Sequence, residues 1–258
     1  MPISSVKGLV GLVTGAASGL GRATALRLLE QGAKGIAAVD LQNLKDDIKS
    51  VNGILPLSGT DVTQEEAIKS ALEKVKSEYG RLDFVVNCAG VGVAFRLYNF
   101  NKDLPHGLDT FRQVLDINAA GTFNVTRLAV GLIGKNEPDA NGLRGCVINT
   151  ASIAAFDGQI GQVAYSASKA AICGMTLPMA RDLASQGIRV VTIAPGLFET
   201  PLLMALPEKV QTYLASLVPA PSRLGLPDEY AHVVQSVVEN PMLNGEVIRV
   251  DGALRMPP

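Results

Sequence analysis

What most constrains the fold of this chain is an alternation. Short, nearly continuous apolar runs rich in β-branched residues occur at 9–14, 35–40, 54–62, 82–87, 145–150, 188–194 and 246–250. Between them lie amphipathic stretches of helical length at 20–31, 64–79, 110–133, 163–185 and 228–239. Runs such as FVVN and VVTIA lack the alternation of a strand with one wet face, so they need a sheet covered by helices on both sides. Strand–helix–strand repetition on this scale predicts a doubly wound α/β fold of about seven parallel strands. No linker or internal repeat divides the 258 residues, which therefore read as one domain. Two stretches rich in Asn, Gly, Asp and Pro, 92–108 and 134–144, read as irregular insertions. The segment 198–217, apolar with two prolines, reads as a mobile helical flap.

Composition removes several kinds of function. With 23 basic against 24 acidic residues and no Lys/Arg run, the chain shows no footprint for nucleic acid or a membrane surface. Two histidines, His106 and His232, and three scattered cysteines, Cys88, Cys146 and Cys173, offer neither a zinc cluster nor a disulfide framework. No apolar run reaches the ~18–20 residues of a membrane span. The residues ahead of the first strand are too few to read as a cleavable presequence.

The first chemical motif stands where this fold would use it. A strand, LVGLVT, runs into Gly15-Ala-Ala-Ser18-Gly19-Leu20-Gly21 and then a helix. Glycines there permit a tight turn and let backbone N–H groups and a helix N-terminus approach a pyrophosphate, although turn formation and helix packing alone would also use them. Asp40 ends the second strand, 19 residues after Gly21. A carboxylate at that place can accept hydrogen bonds from an adenosine ribose, or simply cap a strand end. It would also repel a 2′-phosphate, and no Arg follows closely, which favours NAD over NADP.

Tyr165 and Lys169 are four residues apart in VAYSASKAAI, so on a helix they share a face. A phenol with a pKa of ~10 is a poor base at neutral pH, and a nearby ammonium favours its phenolate. The chain contains its own control, because Tyr98 and Lys102 have the same spacing. That second pair falls in the first insertion, where a helix is not expected, and 13 residues before Tyr98 is only Val85. The position 13 before Tyr165 is Ser152, at the end of a buried strand on the side of the glycine turn.

Together these residues resemble the classical short-chain dehydrogenase/reductase family, along nearly the whole chain. The matching pieces are TGAASGLG at 14–21, Asp61-Val62, NCAG at 87–90, Asn118, Ser152, Tyr165-x-x-x-Lys169 and PGLFET at 195–200. The stretches INTASIAAFDGQIGQVAYSASK, APGLFETPLL and NGEVIRVDGALRM, and the insertion 92–108, resemble more narrowly a mitochondrial subgroup acting on 3-hydroxyacyl-CoA and on hydroxysteroids. Ala170-Ala171 departs from a small glycine-containing pair common in the family. The resemblance implies a Rossmann fold, NAD as cofactor, a homotetramer built on the small-residue face Ala164, Ala167, Ala170, Ala171 and Gly174, and a mitochondrial-matrix location. It makes Tyr165 the general acid/base, Lys169 the residue that lowers its pKa and holds the nicotinamide ribose, and Ser152 a hydrogen-bond donor to the substrate oxygen. Asn118 would bind a water in a proton relay; taken alone it reads as an ordinary polar helix residue. Gly15, Ser18, Gly19, Leu20, Gly21, Asp40, Asp61, Val62, Asn87, Cys88, Ala89, Gly90, Pro195, Phe198 and Thr200 would join Tyr165 and Lys169 around the cofactor. Ser152, Gln162 and Tyr165 would face the substrate. Cys88 reads as a small residue touching the cofactor through its backbone.

Other readings have less behind them. A Ser–His–Asp hydrolase needs a histidine near its nucleophile; His106 reads as a solvent-facing insertion residue and His232 as a helix-surface or interface residue. Tyr230 and Met242 read as packing, and Pro178 as a bend in the helix after Tyr165. Leu202, Leu203, Met204 and Leu206 would face an apolar substrate from the flap. Lys102, Lys209 and Arg223 are candidates for CoA phosphates at the mouth of the cleft, or ordinary surface charge. A second function class, a nucleotide-bound scaffold with partners in mitochondrial tRNA processing, follows from the resemblance only, and the neutral charge speaks against direct RNA contact.

Overall fold

Strand-length apolar runs with no wet face can only be satisfied inside a sandwich, and the chain builds one. The computed structural model describes residues 5–258. In chain order its elements are β1 (Val10–Thr14), α1 (Gly19–Glu30), β2 (Gly35–Asp40), α2 (Asp46–Lys49), β3 (Ile54–Ser58), α3 (Glu65–Tyr79) and β4 (Phe84–Asn87). After these come β5 (Tyr98–Asn99), β6 (Leu104–Pro105), α4 (Leu108–Leu115), α5 (Gly121–Ile133), β7 (Gly145–Thr150) and α6 (Val163–Leu183). The last are β8 (Ile188–Pro195), α7 (Pro201–Met204), α8 (Glu208–Ser216), α9 (Pro227–Glu239) and β9 (Val247–Val250). Seven strands form one sheet in the order β3-β2-β1-β4-β7-β8-β9, every pair parallel. This is the doubly wound sheet expected from the alternation.

Successive residues of each strand feed opposite layers, as the pleat requires. Val13, Ala38, Val86, Ile148 and Val191 pack with Ala25 and Leu28 of α1 and with Val234 and Val237 of α9. Leu12, Val39, Val85, Val147 and Val190 pack against Ile68 and Val75 of α3, Val125 and Ala129 of α5, and Ala180 of α6. Strand order reverses about β1, whose chain continues to β2 on one side while β4 lies on the other; ligand crevices form at such reversals, outside the carboxyl ends of the strands.

Several expectations need correction. The stretch 54–62 is strand only to Ser58, after which the chain leaves the sheet. The helix expected at 110–133 starts at Leu108 and is interrupted by a π-helical turn, Asp116–Ala120, which adds a residue to the turn carrying Asn118. The insertion 92–108 is not wholly irregular, because β5 and β6 pair antiparallel within it. Pro178 lies within α6, which continues to Leu183, and removes one backbone donor there. Among the described residues no helix is long and apolar enough to cross a membrane.

Candidate active site

The cleft sits at the carboxyl ends of the central strands and has a volume of about 1060 Å³. Its first wall is the glycine turn. Gly15 has φ 68°, and a Cβ there would stand 2.9 Å from the backbone of Cys88 and Ala89. A Cβ on Gly21 would come within 2.3 Å of the Gly15 carbonyl oxygen, so the first turn of α1 can close on the loop only without a side chain. Thr14 ties this turn to its neighbour: its Oγ1 accepts the N–H groups of Cys88 and Ala89, each at 3.1 Å. Gly15, Ser18, Gly19, Leu20 and Gly21 all line the cleft, with the N-terminus of α1 facing it.

Asp40 serves two ends of the turn at once. Its Oδ2 accepts Ala17 N–H at 2.9 Å and its Oδ1 accepts Gln42 N–H at 2.8 Å. Each carboxylate oxygen keeps a further acceptor site toward the cleft. The strand-end-cap reading and the ligand reading of Asp40 are thus compatible. Asp61, Val62, Cys88, Ala89, Gly90, Pro195, Phe198 and Thr200 also line the cleft. Asn87 does not: it is buried in the sheet, where its Nδ2 donates to Asn149 Oδ1 (2.9 Å) and Thr126 Oγ1 (3.1 Å). It belongs to the scaffold because its side chain points into the α5 layer. This closed turn, a helix N-terminus and a free carboxylate face at the next strand end fit a dinucleotide.

At the inner end stand Ser152, Tyr165 and Lys169. Ser152 caps a short 3₁₀ turn, Ile153–Ala155, its Oγ accepting Ala154 N–H at 3.1 Å, which leaves its O–H free to donate. Tyr165 and Lys169 are one turn apart in the first half of α6, Lys169 Nζ lying 5.8 Å from the Tyr165 ring centre. Lys169 is 5% exposed; burial lowers its ammonium from 10.5 to about 8. Nζ donates to the Thr150 carbonyl at 2.8 Å, which fixes one of its three N–H groups. Burial also raises the Tyr165 phenol, and the Ser152 hydroxyl beside it pulls it partly back. Burial is thus the larger influence on the phenol, and the Lys169 Nζ beside its ring is directed at the Thr150 carbonyl.

Asn118 is fully buried, and its side chain makes three hydrogen bonds. Oδ1 accepts Val91 N–H at 2.8 Å, while Nδ2 donates to the Val91 carbonyl and to Ser168 Oγ, both at 2.9 Å. The amide thus splints the loop after β4 to the catalytic helix; both Nδ2 hydrogens are in use, while Oδ1 keeps a second acceptor site. Gln162 lines the cleft, paired with Gln159: Gln159 N–H donates to Gln162 Oε1 at 3.2 Å. The flap brings Leu203, Leu206 and Leu214 to the wall, whereas Met204 is 48% exposed; the Leu202 side chain lies outside the described residues. Lys102, Lys209 and Arg223 do not line the cleft, and Arg223 is held by Glu229 through two bonds of 2.9 and 2.7 Å. Arg112 is the described cation on the wall besides Lys169.

Other residues differ from their reading too. His106 is half-buried, its ring edge-on to Phe95 at 5.3 Å, so it does not face solvent. Met242 is 86% exposed and packs on nothing, while His232 is on the surface as expected. Tyr230 is completely buried and does more than pack: its hydroxyl pairs with Thr150 Oγ1 at 2.7 Å beneath the cleft. Burial pushes the Cys88 thiol up, so it is no thiolate nucleophile at neutral pH. Thr14 and Thr150 were not singled out from the sequence. Each ends a strand, and that alone marks the place where a side chain meets the crevice.

A sequence profile of the short chain dehydrogenase family matches residues 10–211. The chain belongs to this family. As a short-chain dehydrogenase it is 59% identical over 255 residues to the 3-hydroxyacyl-CoA dehydrogenase type-2 of Drosophila melanogaster, covering 98% of this chain and 100% of that one. The Homo sapiens protein of the same name is 59% identical over 256 residues, 98% of each chain. The crystal structure of a Mycobacterium avium 3-hydroxyacyl-CoA dehydrogenase type-2 superposes with a TM-score of 0.90 at 40% identity, covering 97% of both chains. Family membership makes the protein an oxidoreductase using a nicotinamide cofactor, and this short-chain dehydrogenase carries the serine, tyrosine and lysine of its motif at the inner end of one cleft.

Proposed function

We propose that the protein is an NAD-dependent dehydrogenase interconverting 3-hydroxyacyl-CoA and 3-ketoacyl-CoA. The observation that carries the reading is the conjunction, in one cleft, of Ser152, Tyr165 and Lys169 with an apolar wall of Ile153, Leu203, Leu206 and Leu214. The identity to dehydrogenases named for 3-hydroxyacyl-CoA along the whole chain supports the substrate class.

Ser152 O–H and Tyr165 O–H would both donate to the substrate oxygen, stabilising the charge that develops there. In the reduction Tyr165 gives its proton to that oxygen; in the oxidation it takes it back. Lys169, with two N–H groups beyond the one on Thr150, would hold the nicotinamide ribose and supply positive charge beside the phenol once the dinucleotide is in place. Bound nicotinamide supplies the hydride acceptor or donor at the carbon bearing the oxygen. Asn118 splints the loop after β4 to α6 through its amide, and a relay water would bind beside it, at the remaining acceptor site of Oδ1 or at a main-chain carbonyl of the π-helical turn. Asp40 supports NAD in preference to NADP, because a carboxylate at the end of β2 in the cleft wall would repel a 2′-phosphate.

The CoA part would lie across the mouth, where Arg112 is held only by Asp109 at 3.5 Å and is free to turn to a phosphate. Assembly as a homotetramer is part of the proposal. The outer face of α6 leaves Val163, Ala170, Gly174 and Leu177 exposed, and Phe123 of α5 is 47% exposed. The experiment is a steady-state assay of acetoacetyl-CoA with NADH, beside its N-acetylcysteamine thioester and a ketosteroid panel. Efficient turnover of the CoA ester, with lower kcat/KM for the truncated thioester, is the expected result. Failure on acetoacetyl-CoA with good turnover of a steroid would sink the reading.

A further inference from the structure

Beyond β9 the chain does not leave the molecule. It turns at once, Leu254 N–H donating to the Asp251 carbonyl at 3.1 Å and Ala253 N–H to Asp251 Oδ1 at 3.0 Å. The turn presses on the segment just past the flap. Ala220 N–H donates to the Gly252 carbonyl at 3.2 Å, and a Cβ on Gly252 would come within 2.6 Å of Val218. Leu254 is buried against Val218 and Ile153, and Met256 packs on the same cluster while standing in the wall of the cleft.

The same tail grips the loop that runs from Ser152 to α6. Arg249 reaches Asp157 Oδ2 through Nη2 at 2.5 Å and Asp251 Oδ2 through Nε at 2.7 Å, and it also donates to the Leu254 carbonyl at 3.0 Å. Its guanidinium lies 5.3 Å from the centre of the Phe156 ring. The side chains of Arg249, Asp157 and Asp251 are only 21%, 17% and 8% exposed, so this is a half-buried cluster whose geometry is fixed by the two-armed fork. Gln159, one of the glutamines in the cleft wall, donates to the Pro257 carbonyl at 3.1 Å. One C-terminal segment therefore couples the flap's far end, the loop beside Ser152 and the side chain of Met256.

We infer that this tail sets the size of acyl group the site accepts, Met256 being a specificity-determining side chain and Arg249 a positioning residue that holds it through Asp157. The inference rests on the acyl-CoA reading above for its substrate class. Met is unbranched and adaptable, so the limit it imposes is graded rather than a sharp cut-off.

The test uses the full-length enzyme with acetoacetyl-CoA and 3-ketododecanoyl-CoA, reading the ratio of their kcat/KM values, with NADH Kd measured by fluorescence. Met256→Ala opens the wall and is expected to raise the long-to-short ratio about tenfold, the size of effect a few methylenes produce in an apolar pocket. Met256→Phe fills it and should lower the ratio, which keeps the test alive if the alanine variant folds poorly. Asp157→Asn and Arg249→Lys should move the ratio in the direction of Met256→Ala by a smaller factor. NADH Kd should stay within about twofold throughout, since the dinucleotide wall is elsewhere; a general loosening of the fold would move it. Ratios unmoved by both Met256 variants overturn the inference while leaving the acyl-CoA reading intact. Ratios moved by Met256 but not by Asp157 or Arg249 overturn the positioning role. A wild-type enzyme inactive on both esters overturns the functional reading and the inference with it.

Discussion

Lys169 is a buried cation held for function at a cost to the fold, and that cost is measurable. Its side chain is 5% exposed, and burial brings its pKa from 10.5 to about 8. A depression of that size corresponds to about 3 kcal/mol against the charged form in the folded state. Lys169→Met removes the charge with little change of volume, and forfeits the bond to the Thr150 carbonyl, worth about 1 kcal/mol. The cofactor-free variant should thus be more stable than wild type by about 2 kcal/mol at neutral pH. The pH dependence identifies the cause. Below the folded value, about 8, the lysine is protonated in both states and the penalty is present in full. Between there and 10.5 the unfolded chain still binds the proton while the folded protein has released it, so wild-type stability rises by about 1.4 kcal/mol per pH unit from this group. The advantage of the variant must shrink across that window, vanish near its middle at about pH 9.5, and reverse by about 1 kcal/mol at its upper end, where only the lost bond to Thr150 remains. Urea unfolding of cofactor-free protein at one fixed protein concentration, from about pH 7 to 9.5, measures it. A variant that is less stable at neutral pH, or one whose difference from wild type is the same at every pH, would refute the reasoning.

Tyr165→Phe keeps the ring and deletes the transferable proton, so kcat should fall by about 10²–10⁴ with NADH Kd nearly unchanged; near-normal turnover would contradict the assigned role. Tyr98→Phe is the matched control, because its hydroxyl is engaged by Asp103 in the insertion, and its rates should stay within about twofold of wild type. Asp40→Asn replaces one acceptor oxygen by a donor and removes the charge that opposes a 2′-phosphate. The NADH-to-NADPH ratio of kcat/KM should fall about tenfold, and a wild-type enzyme using both equally would remove the basis for the prediction.

The layered fold and the inner end of the cleft were readable in the chain itself, because both depend on local periodicity. Strands such as FVVN declare burial on both faces, and Tyr165 and Lys169 must share a helix face whatever surrounds them. Gly21 could likewise be read as obligatory, since a strand turning directly into a helix leaves no room there. What the chain alone could not reveal is which polar group is already in use. Asn87 and Asn118 look alike as motif residues, yet one is spent inside the sheet on Asn149 and the other on Val91 and Ser168. The same holds for Lys169, whose effect on Tyr165 was inferred from spacing, although only the packed cleft determines how strongly each is desolvated. Met256, Arg249 and Asp157 illustrate the remainder. They lie up to 99 positions apart in the chain, and no periodicity links them; parallel pairing of β9 beside β8 and the turn at Asp251 bring them to one wall. Periodicity specifies the face a residue presents, whereas hydrogen-bond partners and desolvation are properties of neighbours that only the tertiary fold supplies.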